Sequence, residues 1–313
     1  KLKSNGWVSL SPVNNVVGPE LSFARKVTAN SDGPIAIIKC AAGGTHLGGD
    51  WNPDNPSGFE MYPLTLELIR KSLAELDRQN IEYQLEGFMW HQGENDMFNE
   101  QYMANYGDNL ENFIKKWRTD LDAPELKFFI GELCTKTIWG MDLRPRMYAI
   151  SVGQKSVTDK VHHTAYVPTS HVGVEIGGGV GLHYHYGTLG QLEHGVNYAD
   201  AYLRSIGVTP SQRSQLTSLP FANKSAIKLF VLAGHRNMEG ERAFTQNLTA
   251  NPQQKELLED QKQIPFRYQL GGGYLASNHW EALGPTGYYE TFGPELSFGA
   301  TLKKTEGNIA IAK

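Results

Sequence analysis

The sequence is short of cysteine, of long apolar runs and of clustered charge, and each shortage removes a class of protein. Two cysteines in 313 residues, Cys40 and Cys134, cannot build a disulfide framework, and neither stands in the CxxC spacing of a zinc or redox pair. No apolar stretch nears the ~18 residues that a membrane-crossing helix requires. Lysine and arginine never run beyond two in a row and the formal net charge is −4, so the footprint of a nucleic-acid or anionic-membrane partner is missing. What is present is 40% hydrophobic residues, 20% charged residues and 33 glycines, the composition of a folded α/β chain. Length alone allows one large domain or two. The sequence begins at Lys1, without methionine or a signal-peptide pattern, so its ends are not taken as native termini.

The two ends of the chain resemble each other. Ser4 to Lys39 and Ser277 to Lys313 share S-N-x-W, then G-P-E-L-S-F, then I-A-I-x-K, and the pairs Trp7/Trp280, Gly18/Gly293 and Ile35/Ile309 hold a register of about 274 residues. That period is the size of a whole α/β domain rather than of a solenoid repeat. The expectation is a tandem duplication cut inside both copies. Residues 1–208 would be a domain lacking its first strand, 209–225 a Ser- and Gln-rich linker, and 226–313 the front of a second domain.

Short apolar runs at Ile35 to Cys40, Gln84 to Trp90, Phe128 to Leu133 and Ala165 to Val167 read as buried strands. Helical periodicity lies between and after them, at Leu64 to Leu76, Tyr102 to Trp117, Pro145 to Val157 and Leu189 to Ser205. This alternation predicts a parallel sheet covered on both faces. A further strand, Ile227 to Ala233, opens the second copy.

Ligands gather at the carboxyl ends of parallel strands, so the residues after each run carry the chemistry. The first run is followed by Gly43-Gly44-Thr45-His46, where paired glycines leave a backbone amide open as an oxyanion donor. A tight strand-to-helix turn explains the same residues. The second is followed by His91-Gln92-Gly93-Glu94-Asn95-Asp96, where the Asn95 amide suits an oxyanion and a helix cap equally well. A third cluster runs from Gly177 through His183, Tyr184, His185 and Tyr186 to Gln191. It lacks the Lys-Ser/Thr of a phosphate loop. Six of the ten histidines fall between His162 and His194, but without ligand-spaced cysteine or carboxylate they predict no metal site, and no cofactor is expected.

In this order the clusters resemble the SGNH hydrolase superfamily, in its branch of sialate O-acetylesterases and family-six acetyl xylan esterases. That pattern has a strand ending in G-Q-S-N-M, then G-P-E-x-S-F-A, G-G-T, W-H-Q-G-E-S/N-D and D-G-x-H. It covers nearly all of Gly18 to Gly195, and W-H-Q-G-E-N-D is its most specific part. The resemblance implies a flavodoxin-like three-layer α/β/α sandwich with a parallel sheet of about five strands. It implies hydrolysis of acetyl esters on a carbohydrate by a serine nucleophile, in a secreted or periplasmic protein. By position, Gly43 or Gly44 and Asn95 would hold the oxyanion. Counting back from Gly190-Gln191 selects His185 as the base, and reading G-x-x-H forward selects His183. His91, Gln92, Trp51, Tyr184 and Arg236 are the substrate-binding candidates, with Trp90 and Tyr186 as further rings able to stack on a sugar.

Three departures stand beside the matches. The acid expected three residues before the histidine is Leu182 or Val180, which leaves a backbone carbonyl or another acid such as Glu175 to orient the imidazole. The first copy's opening strand, with its serine, falls before Lys1 in the repeat register. The second copy's opening strand ends in Gly234-His235-Arg236-Asn237-Met238, with arginine where the serine belongs, so that copy is inactive by this mechanism, and the same change in the first copy would make the protein a pseudo-esterase. A permuted arrangement is also open: Ile227 to Gly273 would fill the first-strand slot of the first domain, and Gly293 to Lys313 would then protrude.

Overall fold

The computed structural model describes residues 4–13, 16–135, 137–138, 141–169, 185–208, 216–221, 227–234, 236–240, 243–249, 252–270, 275–287 and 291–313. The chain divides into two units, Lys1–Val208 and Thr209–Lys313.

In the first unit, α1 (Pro19–Asn30) and α2 (Met61–Arg78) lead to β1 (Gly87–Trp90), the short α3 (Glu100–Ala104) and α4 (Tyr106–Asp120). Then come β2 (Lys127–Gly131), a small hairpin of β3 (Thr137–Ile138) and β4 (Met141–Asp142), α5 (Arg144–Lys160), β5 (Thr164–Val167) and α6 (Thr188–Ser205). Strands pair in the order β1-β2-β5, parallel throughout, with Trp90 opposite Ile130 and Gly131 opposite Val167. Successive side chains of β2 address two different helical layers, as strand alternation requires. Phe128 stacks on Phe88 and meets Phe113 of α4, whereas Phe129 meets Tyr202 of α6. The result is the expected α/β/α sandwich, with three strands among the described residues instead of about five. The helix expected over Tyr102 to Trp117 is split in two at Asn105.

Ile35 to Cys40 is a correction. Residues 34–42 form no ladder, although Ile38 and Cys40 pack on the core of this unit. An apolar run becomes a strand only where a neighbour accepts its backbone bonds, and the repeat counterpart in the second unit shows the difference.

That unit contains β6 (Lys228–Val231), α7 (Arg236–Glu239), α8 (Thr245–Thr249), α9 (Pro252–Lys255), β7 (Gln261–Arg267), β8 (Gln269–Leu270), β9 (Leu275–Ala276), β10 (Glu281–Leu283), α10 (Glu295–Leu302) and β11 (Ile309–Ala312). Its sheet runs β10-β7-β11-β6, and β11 has parallel partners on both sides. Ile309 and Ile311 are fully buried with Phe266, Leu283 and Leu296. The permuted arrangement is therefore corrected. β6 pairs with β11 of its own unit, and Gly293 to Lys313 supplies a central strand and the helix beside it, because β11 finds two ladder partners and an apolar layer there. Among the described residues no helix is long and apolar enough to cross a membrane.

Candidate active site

β1 ends at Trp90, and the chain must turn at once to bring His91 to Asp96 to the sheet's carboxyl edge. Gly93 makes the turn at φ 144°, where an added Cβ would lie 2.8 Å from Ile150 Cγ2 and 3.2 Å from Leu133 Cδ2. A 3₁₀ turn, Asp96–Phe98, follows. Asn99, not Asn95, caps α3, accepting from the N–H groups of Gln101 and Tyr102 at 3.0 Å. Asn95 makes no capping bond with its side chain.

Asp96 is fully buried and ties the neighbouring loop to this turn. It accepts from the N–H groups of Leu47 at 2.9 Å and Gly48 at 3.1 Å, and from Gln92 Nε2. Burial pushes its carboxyl up, and these donors offset only part of the rise. Asp50 anchors the same loop from within, accepting from His46 N at 2.9 Å, Phe59 N at 2.8 Å and the His46 ring at 3.2 Å. Burial would raise Asp50, but the Phe59 and His46 donors outweigh it and the carboxyl sits below its usual range.

The loop so held presents Gly44 to Asn95. Gly44 adopts φ 76°, and its missing Cβ would lie 3.7 Å from Asn95 Nδ2; at Gly43 an added Cβ meets no atom within 4 Å. Gly44 and the Asn95 amide thus stand side by side, and the space over Gly43 is open.

Three expected sugar contacts are corrected. Gln92 is buried, its Nε2 donating to Thr45 O at 2.9 Å as well as to Asp96, and its Oε1 accepting from Tyr106 OH at 3.3 Å. It braces the loop from beneath. Trp51, only 4% exposed, donates Nε1 to Thr45 Oγ1 and stands edge-on to Trp90 and Phe113, so it and the equally buried Trp90 are core rings rather than sugar platforms.

His91 is half-buried, with Nε2 3.5 Å from Glu94 Oε1 and its ring 4.7 Å from His194 and 5.4 Å from Tyr186. Tyr186 OH donates to Thr169 Oγ1 at 2.8 Å, which fixes the chain next to His185. His185 itself is exposed. His183, Tyr184, Glu175 and the run Gly177 to Gly181 lie outside the described residues, as does the side chain of Arg236, which belongs to α7 of the second unit. Sequence reasoning missed two supports, Glu94 and the His46–Asp50 pair. A carboxylate three residues after His91, and another four after His46, are the signals that were there to find.

A three-layer α/β/α sandwich whose polar loops meet at the carboxyl edge of a parallel sheet defines a class of α/β domain built to bind or transform small ligands at that edge. The chain belongs to a family of carbohydrate esterases, the sialic acid-specific acetylesterases, whose model matches residues 7–204. It is similar to a protein of Arabidopsis thaliana described as a probable carbohydrate esterase, 27% identical over 113 residues, which are 35% of this chain and 39% of that protein's length. The X-ray structure of that Arabidopsis protein aligns with 60% of this chain and 68% of its own at 23% identity and a TM-score of 0.49. A family-two carbohydrate esterase with a carbohydrate-binding domain, from Myceliophthora fergusii, aligns with 39% of this chain and 37% of its own at 18% identity and a TM-score of 0.31.

Proposed function

We propose that the protein is a carbohydrate O-acetylesterase, acting on acetylated sialic acid or xylan through a serine nucleophile, with its site on the first unit. The observation that carries this reading is the corner where the Gly44 turn meets the Asn95 amide, an amide left uncommitted by the cap it was equally suited to make. In the proposed reaction the serine oxygen attacks the acetyl carbonyl and His185 takes its proton. The Asn95 amide and the N–H of Gly43 or Gly44 hold the tetrahedral oxyanion. His185 then protonates the departing sugar oxygen, and water releases acetate from the acyl-enzyme in a second cycle.

The two units are proposed to be copies of one domain. On that reading the serine belongs to a strand equivalent to β6 of the second unit. Arg236 at the matching position of the second unit supports one working site rather than two. The same arginine favours a second reading, a pseudo-esterase that binds acetylated sugar without turning it over. Hydrolysis of p-nitrophenyl acetate and of acetylated sugars by the full-length protein separates the two. Turnover abolished by His185→Ala and cut deeply by Asn95→Ala supports the esterase. Turnover indifferent to both overturns the site, and sugar binding without turnover establishes the pseudo-esterase.

A further inference from the structure

The Asn95 side chain makes no capping bond, so the aim of its amide comes from the backbone that carries it. That backbone is held from two sides. On one, Asp96 ties it to the glycine loop through the N–H groups of Leu47 and Gly48. On the other stands Arg146, in the first turn of α5. Its Nη1 donates to Met97 O at 2.6 Å and its Nη2 to Glu100 Oε1 at 2.6 Å, so one planar guanidinium spans the 3₁₀ turn and the start of α3. The first of these bonds leads directly to Asn95. Met97 O belongs to the same peptide unit as the Phe98 N–H, and that N–H donates to Asn95 O at 3.0 Å. A charged donor on the carbonyl polarises the peptide and strengthens the bond made by its N–H. Met97 cannot swing away, because its side chain is fully buried and its N–H donates to Gly93 O at 3.3 Å.

We propose that Arg146 is a positioning residue for Asn95, fixing the turn that aims the amide at the oxyanion; this assignment rests on the esterase reading above. Local energetics do not account for an arginine at this place. The first turn of α5 holds Arg144 and Arg146 and no acid, so both cations sit at the positive end of the helix dipole. Asp142 answers Arg144 from two residues away, whereas Arg146 reaches across to another helix. Its partner there, Glu100, is 72% exposed, and an ion pair so open to solvent contributes little. The bond to Met97 O is what remains, and its consequence is the orientation of Asn95.

The test uses the full-length protein with Arg146→Met, Arg146→Lys and the double change Arg146→Met with Asn95→Ala. It reads kcat and KM separately on p-nitrophenyl acetate and follows the Asn95 side-chain amide by NMR. Arg146→Met is expected to lower kcat by about 10- to 10²-fold with KM little changed, and to shift and loosen the Asn95 amide. Lysine keeps the charge without the fork, so Arg146→Lys should restore part of both. In the Asn95→Ala background, Arg146→Met should cost less than about a further twofold, because a residue acting through Asn95 has nothing left to position. Losses that multiply overturn the proposal, as does an Asn95 amide that ignores Arg146→Met. An amide that shifts and loosens in a protein without esterase activity supports the positioning and overturns the esterase reading instead. If Arg146→Met does not fold, Arg146→Lys decides by the same amide and the same cycle.

Discussion

Asn95 and Asp96 are adjacent in sequence; the proposed function gives Asn95 an oxyanion to hold, and the structure gives Asp96 a loop to anchor. Asn95 carries an amide that no cap requires, so Asn95→Ala should fold with an unchanged melting temperature while lowering kcat by about 10²- to 10³-fold, the cost of one oxyanion donor. A fall in melting temperature that tracks the loss of activity would show the amide to be structural. Asp96 accepts from three donors in a fully buried position, and an asparagine would turn its NH₂ toward at least one of them. Asp96→Asn should therefore destabilise the first unit by about 1–3 kcal/mol, measured by urea unfolding, and a neutral result would refute the accounting. Asp50 gives the pH dependence. Its folded carboxyl lies below the unfolded value of 3.8, so its stabilising share is present above that pH and is lost as pH falls through the lower, folded value. Asp50→Asn should flatten melting temperature against pH in that acid window, and an unaltered acid limb would count against it. The motif holding Asn95 and Asp96 was legible in the sequence, but the inward turn of Gln92 was not. That direction depends on the φ of Gly93 and on a loop 47 residues upstream, which periodicity does not report.

At the scale of elements, the longer helices after α1 were legible because they show apolar faces of helical period, and α2, α5 and α6 run close to their expected spans, whereas α1 was not read as a helix. Ile35 to Cys40 was misread because a strand is a property of a pair. The same I-A-I-x-K pattern is a buried central strand in β11, between β6 and β7, and an unladdered segment in the first unit. The crossing of α1 and α6 could not be read at all, since nothing local marks Gly195 as special. In the structure its added Cβ would lie 2.0 Å from Pro19 O and 2.2 Å from Ser22 Oγ, and Ser22 donates to Leu192 O at 2.6 Å across the same contact. Gly195→Ala should push the helices apart at a cost of about 1–3 kcal/mol, although alanine is the better helix former by about 1 kcal/mol. Calorimetry decides between the two terms. A stabilised variant would mean that the helices are not in contact at Gly195.

For the whole molecule, the proposed duplication makes the chain its own control, because one ion pair occurs twice in different surroundings. In each unit the glutamate of G-P-E-L-S-F meets the lysine that ends I-A-I-x-K: Glu20 with Lys39 at 2.7 Å, and Glu295 with Lys313 at 2.8 Å. Lys39 is 52% exposed and Lys313 only 1%, so solvent screens the first pair and not the second. The cause is local. Lys313 also donates to Glu239 O at 3.1 Å, from the turn that follows β6, and Glu295 takes the Gly293 N–H at 2.9 Å. Burial pulls the Lys313 ammonium below its usual range, and Glu295 restores part of the loss. An exposed pair of this kind contributes at most about 1 kcal/mol. Removing one partner of a buried pair costs about 3–5 kcal/mol, because the charge left behind has no compensation. Lys39→Ala should therefore leave hydrogen exchange in the first unit nearly unchanged, while Lys313→Ala should accelerate exchange of β11 and β7 by orders of magnitude. The double change Lys313→Met with Glu295→Leu removes both charges and should recover most of that protection. Equal responses to the two alanine variants would mean that the pairs sit in equivalent surroundings, and the contrast drawn from β6 and its turn would fall.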